Sequence, residues 1–129
     1  MKKIIVILFL SLTGTIIYSQ KWVQTIGQPN LSENSNSVTE YYDNGYLITA
    51  SFSAGYDDAH GWLIKTDING NVLWDKVIGI SPDQVITNKT VSDNNGNLYC
   101  FGTIVQGIDP LWPLAIKLNS CGELQWCRQ

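Results

Sequence analysis

Trp62-Leu63-Ile64-Lys65-Thr66-Asp67-Ile68-Asn69-Gly70-Asn71-Val72-Leu73-Trp74-Asp75-Lys76-Val77-Ile78-Gly79 decides the fold, because much of it returns 52 residues later. Ile64-Lys65-Thr66-Asp67, followed by Gly70 and Trp74, is matched by Ile116-Lys117-Leu118-Asn119, followed by Gly122 and Trp126. Its closing half also occurs upstream, where Trp22-Val23-Gln24-Thr25-Ile26-Gly27 matches Trp74-Asp75-Lys76-Val77-Ile78-Gly79. Trp22, Trp74 and Trp126 therefore mark one structural position in three copies of a unit. Such a ladder assigns the rings to packing, since burying an aromatic contributes about 1.5–3 kcal/mol. The repeated positions Trp22, Gly27, Gly70, Trp74, Gly79, Gly122 and Trp126 are expected to build structure, not to bind a ligand. Farther from the ladder, Asp43-Asn44-Gly45 matches Asn94-Asn95-Gly96 one residue out of step, which predicts a single loop insertion.

Within one unit the pattern is that of strands. Tyr46, Ile48, Ala50 and Phe52 alternate with Leu47, Thr49, Ser51 and Ser53, the period of two expected for a packed strand. Strands are predicted over 37–42, 46–53, 62–67 and 71–78, and again over 86–92, 97–104, 114–119 and 123–127. Asn-Gly pairs at 44–45, 69–70 and 95–96 supply tight turns, because these residues tolerate positive φ. Four short-linked strands per unit, in tandem, are the mark of a propeller blade. A β-sandwich does not require its halves to repeat, and solenoid rungs are shorter. The expected fold is all-β: tandem four-stranded antiparallel meanders, about two blades of an incomplete β-propeller. A lone starting strand and linker (21–36) precedes a first blade (37–79) and a second, incomplete blade (80–129). A closed propeller has about 4–8 blades. The expectation is thus a piece of a longer protein, or several copies that assemble.

Residues 1–20 differ from the rest. Lys2 and Lys3 precede an apolar run over 4–10 that is extended by Leu12, Ile16 and Ile17. This is the pattern of a secretory signal peptide cleaved near Ser19 or Gln20, too short and interrupted for a membrane span. With Lys2 and Lys3 gone, six Lys/Arg face eleven Asp/Glu. That acidic balance has no footprint for nucleic acid and opposes adhesion to anionic lipid. The expected address is secreted or cell-surface.

The stretch from Trp62 to Gly79 resembles the propeller-like repeats of large secreted bacterial proteins exported through the type IX secretion system, and 118–127 follows the same pattern. The resemblance covers nearly all of residues 20–129 and implies architecture, not activity. Asp67, Gly70 and Trp74 match quinoprotein blades and sialidase-type Asp-boxes only partly, and license neither a quinone nor a glycosidase.

Residues outside the repeat are the candidates for ligand contact. Trp62 and Trp112 are offered as sugar-stacking rings, Trp112 being expected in a loop between Pro110 and Pro113. His60, the single histidine, stands beside Asp57 and Asp58 on an expected polar loop. No nucleophile elbow, zinc-helix motif or phosphate loop occurs. No catalytic, cofactor or metal residue is assigned. Cys121 and Cys127, on one extended strand, are too far apart to bridge, and Cys100 reads as a core residue. The expected function is an exported, non-catalytic structural or interaction module whose partner is a protein or a glycan. The alternatives are a hydrolase or lyase with its active site in other blades, and a glycan-binding module.

Overall fold

The computed structural model describes residues 23–55, 58–79, 83–106 and 111–128. The expected leader, Trp22, Asp57 and Pro110 lie outside the described residues. Among those residues there are eight strands and no helix: β1 (Ser32–Glu40), β2 (Tyr46–Ser53), β3 (Ala59–Thr66), β4 (Val72–Ile78), β5 (Gln84–Ser92), β6 (Leu98–Val105), β7 (Leu111–Leu118) and β8 (Leu124–Arg128). They form two antiparallel meanders, β1-β2-β3-β4 (sheet A) and β5-β6-β7-β8 (sheet B). The fold is all-β, two propeller-like blades stacked face to face and not closed into a ring.

The period is stricter than the sequence alone indicates. Strands of sheet B begin at 84, 98, 111 and 124, each 52 residues after the counterparts at 32, 46, 59 and 72. Register shifts recur with the same spacing, at Ser35/Ser37 and Thr87/Lys89, and at Lys65/Thr66 and Lys117/Leu118. Trp74 pairs with Lys65, and Trp126 pairs with Lys117. These two tryptophans occupy equivalent places in successive sheets.

The expected loop insertion does not exist. Asn44 N–H donates to Tyr41 O as Gly96 N–H donates to Asp93 O, and Tyr41 N–H donates to Gly45 O as Asp93 N–H donates to Asn97 O. Tyr41–Gly45 therefore corresponds to Asp93–Asn97 with no residue gained or lost. Matching the glycines misaligned the turns, because the left-handed position holds Asn44 (φ 63°) in one sheet and Gly96 (φ 79°) in the other. Either residue accepts that conformation. Left-handed residues recur at 44, 70, 96 and 122, so the first and third hairpins of each sheet share one turn type.

Several strand limits also differ from expectation, among them the start of β3 at Ala59. β1 starts at Ser32 although Ser32-Glu33-Asn34-Ser35-Asn36 has no apolar alternation. It is an exposed edge strand held by its ladder to β2, and polar side chains protect such edges from stray pairing. β7 starts at Leu111, which draws Trp112 out of its expected loop and into a strand. Residues 23–28 form no strand, and residues 21 and 22 of the expected starting segment lie outside the described residues. Among the described residues no third-strand edge lies beside them to pair with. They nonetheless keep the 52-residue register. Ile26 packs against Ala50, Trp62 and Ile64 on the outer face of sheet A, as its counterpart Ile78 packs against the intersheet core. Gly27 lies against Glu33 as Gly79 lies against Val85, again 52 residues on.

The main core lies between the sheets. Tyr41, Leu47 and Leu63 meet Val85, Leu98, Cys100, Ile104, Leu114, Ile116 and Leu118, with Trp74 and Ile78 packed against them. Along β5, which runs against β1, β2 and β3, the seam turns polar. The Thr49 hydroxyl donates to that of Thr90 at 2.9 Å, the Thr39 hydroxyl to Thr90 O at 3.1 Å, and the Thr87 hydroxyl to Ala50 O. Gly61 lets β3 approach β5, since a Cβ there would stand 2.5 Å from Thr87 Cγ2. Gly61→Val is expected to lower unfolding stability by about 1–3 kcal/mol, read from urea denaturation. Gly55→Val, where an added Cβ meets nothing within 4 Å, should stay within about 0.5 kcal/mol.

Candidate functional site

The residues expected to contact a ligand are not brought together. His60 is a β3 residue, not a loop residue. Its Nε2 lies 2.8 Å from Asp58 Oδ1, its Nδ1 is buried without a partner, and its ring stands 5.3 Å from Phe52. Trp62 is buried on the same face of β3, edge-on to Phe52. Its indole N–H donates to Asp75 Oδ2 at 2.8 Å, so its polar end is already engaged. Trp112 belongs to sheet B, pairs with Ile104 and is 46% exposed. Among the described residues no three His, Cys, Asp or Glu side chains converge as a metal site would require. Nor does any helix there have the length and apolarity to cross a membrane. The three cysteines are free. Cys100 is buried in β6, where burial pushes its thiol pKa up against the opposing hydrogen bond with Thr90.

Two arrangements escape sequence reasoning. The first is Lys65, whose side chain is only 2% exposed beneath sheet B. A buried ammonium is costly unless its donors are met. Lys65 Nζ donates to Asp43 Oδ1 at 2.9 Å and to Thr66 O at 2.7 Å, and stands 4.8 Å from the Tyr41 ring centroid. Tyr41 in turn donates its hydroxyl to Gly96 O across the seam. Burial, reinforced by the negative charges of its neighbours, raises the Tyr41 pKa to about 12. Burial would also raise the Asp43 pKa, but the hydrogen bonds from Lys65 and Gly45 N–H and the Lys65 charge outweigh it and hold the carboxyl below its ordinary value. The spacing of Lys65 in the repeat offered no sign of burial, because Lys65 alternates with the apolar Ile64 as a surface residue does.

The second is the far face of sheet B. Tyr99, Phe101, Ala115, Lys117 and Trp126 share it by strand register. Phe101 is 47% and Trp126 37% exposed. Lys117 Nζ lies 5.5 Å from the Tyr99 ring centroid, and Tyr99 lies 6.5 Å from Trp126. Fifty-two residues earlier stand Leu47, Thr49, Leu63, Lys65 and Trp74. Those residues face sheet B. The far face of sheet B therefore occupies the same repeat positions as the face that sheet A turns to its neighbour, and among the described residues no sheet covers it. At the other end of the stack, the outer face of sheet A carries a groove of about 860 Å³ lined by Ile26, Val38, Ile48, Ala50, Trp62 and Ile64 among others.

Comparison with protein-family models, with curated proteins and with solved structures returns no match.

The turns add a titratable element. Asp67 Oδ1 accepts the N–H groups of Asn69 and Asn71, both at 2.8 Å, while its Oδ2 accepts the Asn71 amide. Asp93 repeats this with Asn95 and Asn97, and Asn119 Oδ1 accepts from Cys121 and Glu123 N–H. The side-chain hydrogen bond from Asn71, helped by the backbone donors, lowers the Asp67 pKa; that from Asn97 does the same for Asp93. A carboxylate with a lowered folded-state pKa stabilises the fold above its unfolded value, near 4, and loses that contribution as pH falls through the folded value. Stability should therefore drop on acidification below about pH 4. Asp67→Asn with Asp93→Asn should flatten the drop while keeping the turns, as Asn119 does in the third, in urea titrations at stepped pH. Separately, Asp43→Asn is expected to cost about 1–3 kcal/mol, the penalty of a buried charge losing its partner discounted for the exposure of Asp43. Lys65→Met should cost less than Asp43→Asn in the same assay, because it removes the charge itself.

Proposed function

We propose that the chain is an exported, non-catalytic segment of β-propeller architecture that serves as a structural or interaction module at or beyond the cell surface. The observation that carries this reading is the uncovered aromatic face of sheet B. It repeats position by position a surface that the molecule elsewhere buries against a neighbouring blade. A face of that composition is made to be covered, and its natural cover is another sheet of the same kind. The leader-like residues 1–20 and the acidic balance support the address, and the resemblance to type IX-exported repeat proteins supports the module reading. Trp62 and Trp112 lie on different sheets, and Trp62 has committed its N–H to Asp75, so sugar stacking gains no support from their placement.

The test is export of the full chain from a bacterial host, followed by intact mass. The expected product lies outside the inner membrane and has lost 19 or 20 N-terminal residues, the cut falling after Ser19 or Gln20. A full-mass chain retained in the cytoplasm would overturn the address. Turnover of polysaccharide or ester substrates by the purified chain, abolished by replacing a described residue, would replace the module reading with the enzyme one.

A further inference from the structure

The exposed far face of sheet B and the groove on the outer face of sheet A, where Ile26 already packs over Ala50, Trp62 and Ile64, hold the repeat positions of the two halves of an interface the molecule already contains. Resting on the module reading, we propose that the partner for the uncovered face is a second copy of this chain, docked head to tail. In that arrangement the far face of sheet B of one copy covers the outer face of sheet A of the next.

The existing seam joins Leu47, Thr49, Leu63, Lys65 and Trp74 of sheet A to Leu98, Cys100, Gly102, Ile104, Leu114 and Ile116 of sheet B. Adding 52 to the first set gives the far face of sheet B, Tyr99, Phe101, Ala115, Lys117 and Trp126. Subtracting 52 from the second gives the outer face of sheet A: Tyr46, Ile48, Ala50, Phe52, Trp62 and Ile64. One chain thus carries both a donor and an acceptor surface, on opposite sides. Complementary patches of this kind produce heterologous contacts that grow into rings or open stacks.

Individual contacts are specified as well. Trp74 lies over Gly122 in the existing seam, where an added Cβ would stand 3.3 Å from its Cζ3. In the docked pair, Trp126 of one copy meets the corresponding Gly70, which lines the acceptor groove. Ile26 already holds on this face the place that Ile78 holds in the existing seam, and it stays there. Residues 23 and 24 share repeat positions with the incoming 127 and 128, so one set gives way. Leu124–Arg128 is hydrogen-bonded as a strand to β7, whereas residues 23–28 form none. The N-terminal residues therefore yield.

Sedimentation velocity and native mass spectrometry of the purified chain test this. The expected result is self-association of the chain into dimers and larger assemblies. Phe101→Glu on the donor face, and independently Trp126→Glu, should reduce it to monomer with an unchanged circular dichroism spectrum. Ile48→Glu on the acceptor face should do the same. Mixing the Phe101→Glu chain with the Ile48→Glu chain should restore one interface and give a one-to-one dimer, since each retains the half that the other lacks. A wild-type chain that stays monomeric at every concentration overturns the proposal, as does an assembly indifferent to both donor-face substitutions. Two blocked chains that do not pair, while each remains folded, rule out the head-to-tail geometry. None of these outcomes touches the export result, so the two readings fail separately.

Discussion

A four-stranded sheet with apolar side chains on both faces must be covered twice, and this constraint organises the molecule. Sheet A meets it with sheet B on one side and with Ile26 on the other. Among the described residues sheet B meets it once. A sheet of this size is stable only when packed, and each large apolar side chain removed from water contributes about 1.5–3 kcal/mol. The intersheet core is thus what makes either meander a folded object, and the uncovered side of sheet B is the same requirement left open.

Equivalent positions in unequal surroundings make the point sharper. Lys65 and Lys117 share one place in the repeat, each opposite a tryptophan across the hairpin. Beneath sheet B, Lys65 is enclosed and held by Asp43, Thr66 and Tyr41. Among the described residues no sheet lies above Lys117, which rests over Tyr99. The repeat position of Asp43 is Asn95 in sheet B, so Lys117 has no carboxylate at the corresponding place in its own turn. The local chain is the same, and the neighbour decides what the lysine does.

Much of this architecture was readable from residues. The tryptophans at a fixed interval and the apolar alternation over Tyr46–Ser53 led to the meander and to the stacking. What escaped reading did so for physical causes. Ser32–Asn36 is extended by its hydrogen bonds to β2, a long-range pairing that leaves no mark on side-chain pattern. Asn44 stands where the matching turn has glycine, because both tolerate the left-handed region, and aligning like residues displaced the turn by one. Trp112, flanked by prolines, reads as a loop, yet its ladder to Ile104 holds it in β7. The candidate site was less legible still. His60 and Trp62 attract notice as residue types, but their contacts with Asp58, Phe52 and Asp75 are internal. The open face is assembled from three strands, and no short motif announces it.

The hydroxyl row along β5 gives the joint between sheets a property that a purely greasy contact lacks. Thr39, Thr49, Thr87 and Thr90 find their partners only at one relative height and tilt of the two sheets. Sliding by a residue would strand dry hydroxyls, each a loss of about 1–3 kcal/mol. The threonines therefore act as teeth in a keyed coupling, which fixes the angular step from one sheet to the next. Whether a row of such sheets curves back on itself or spirals outward is written in that step.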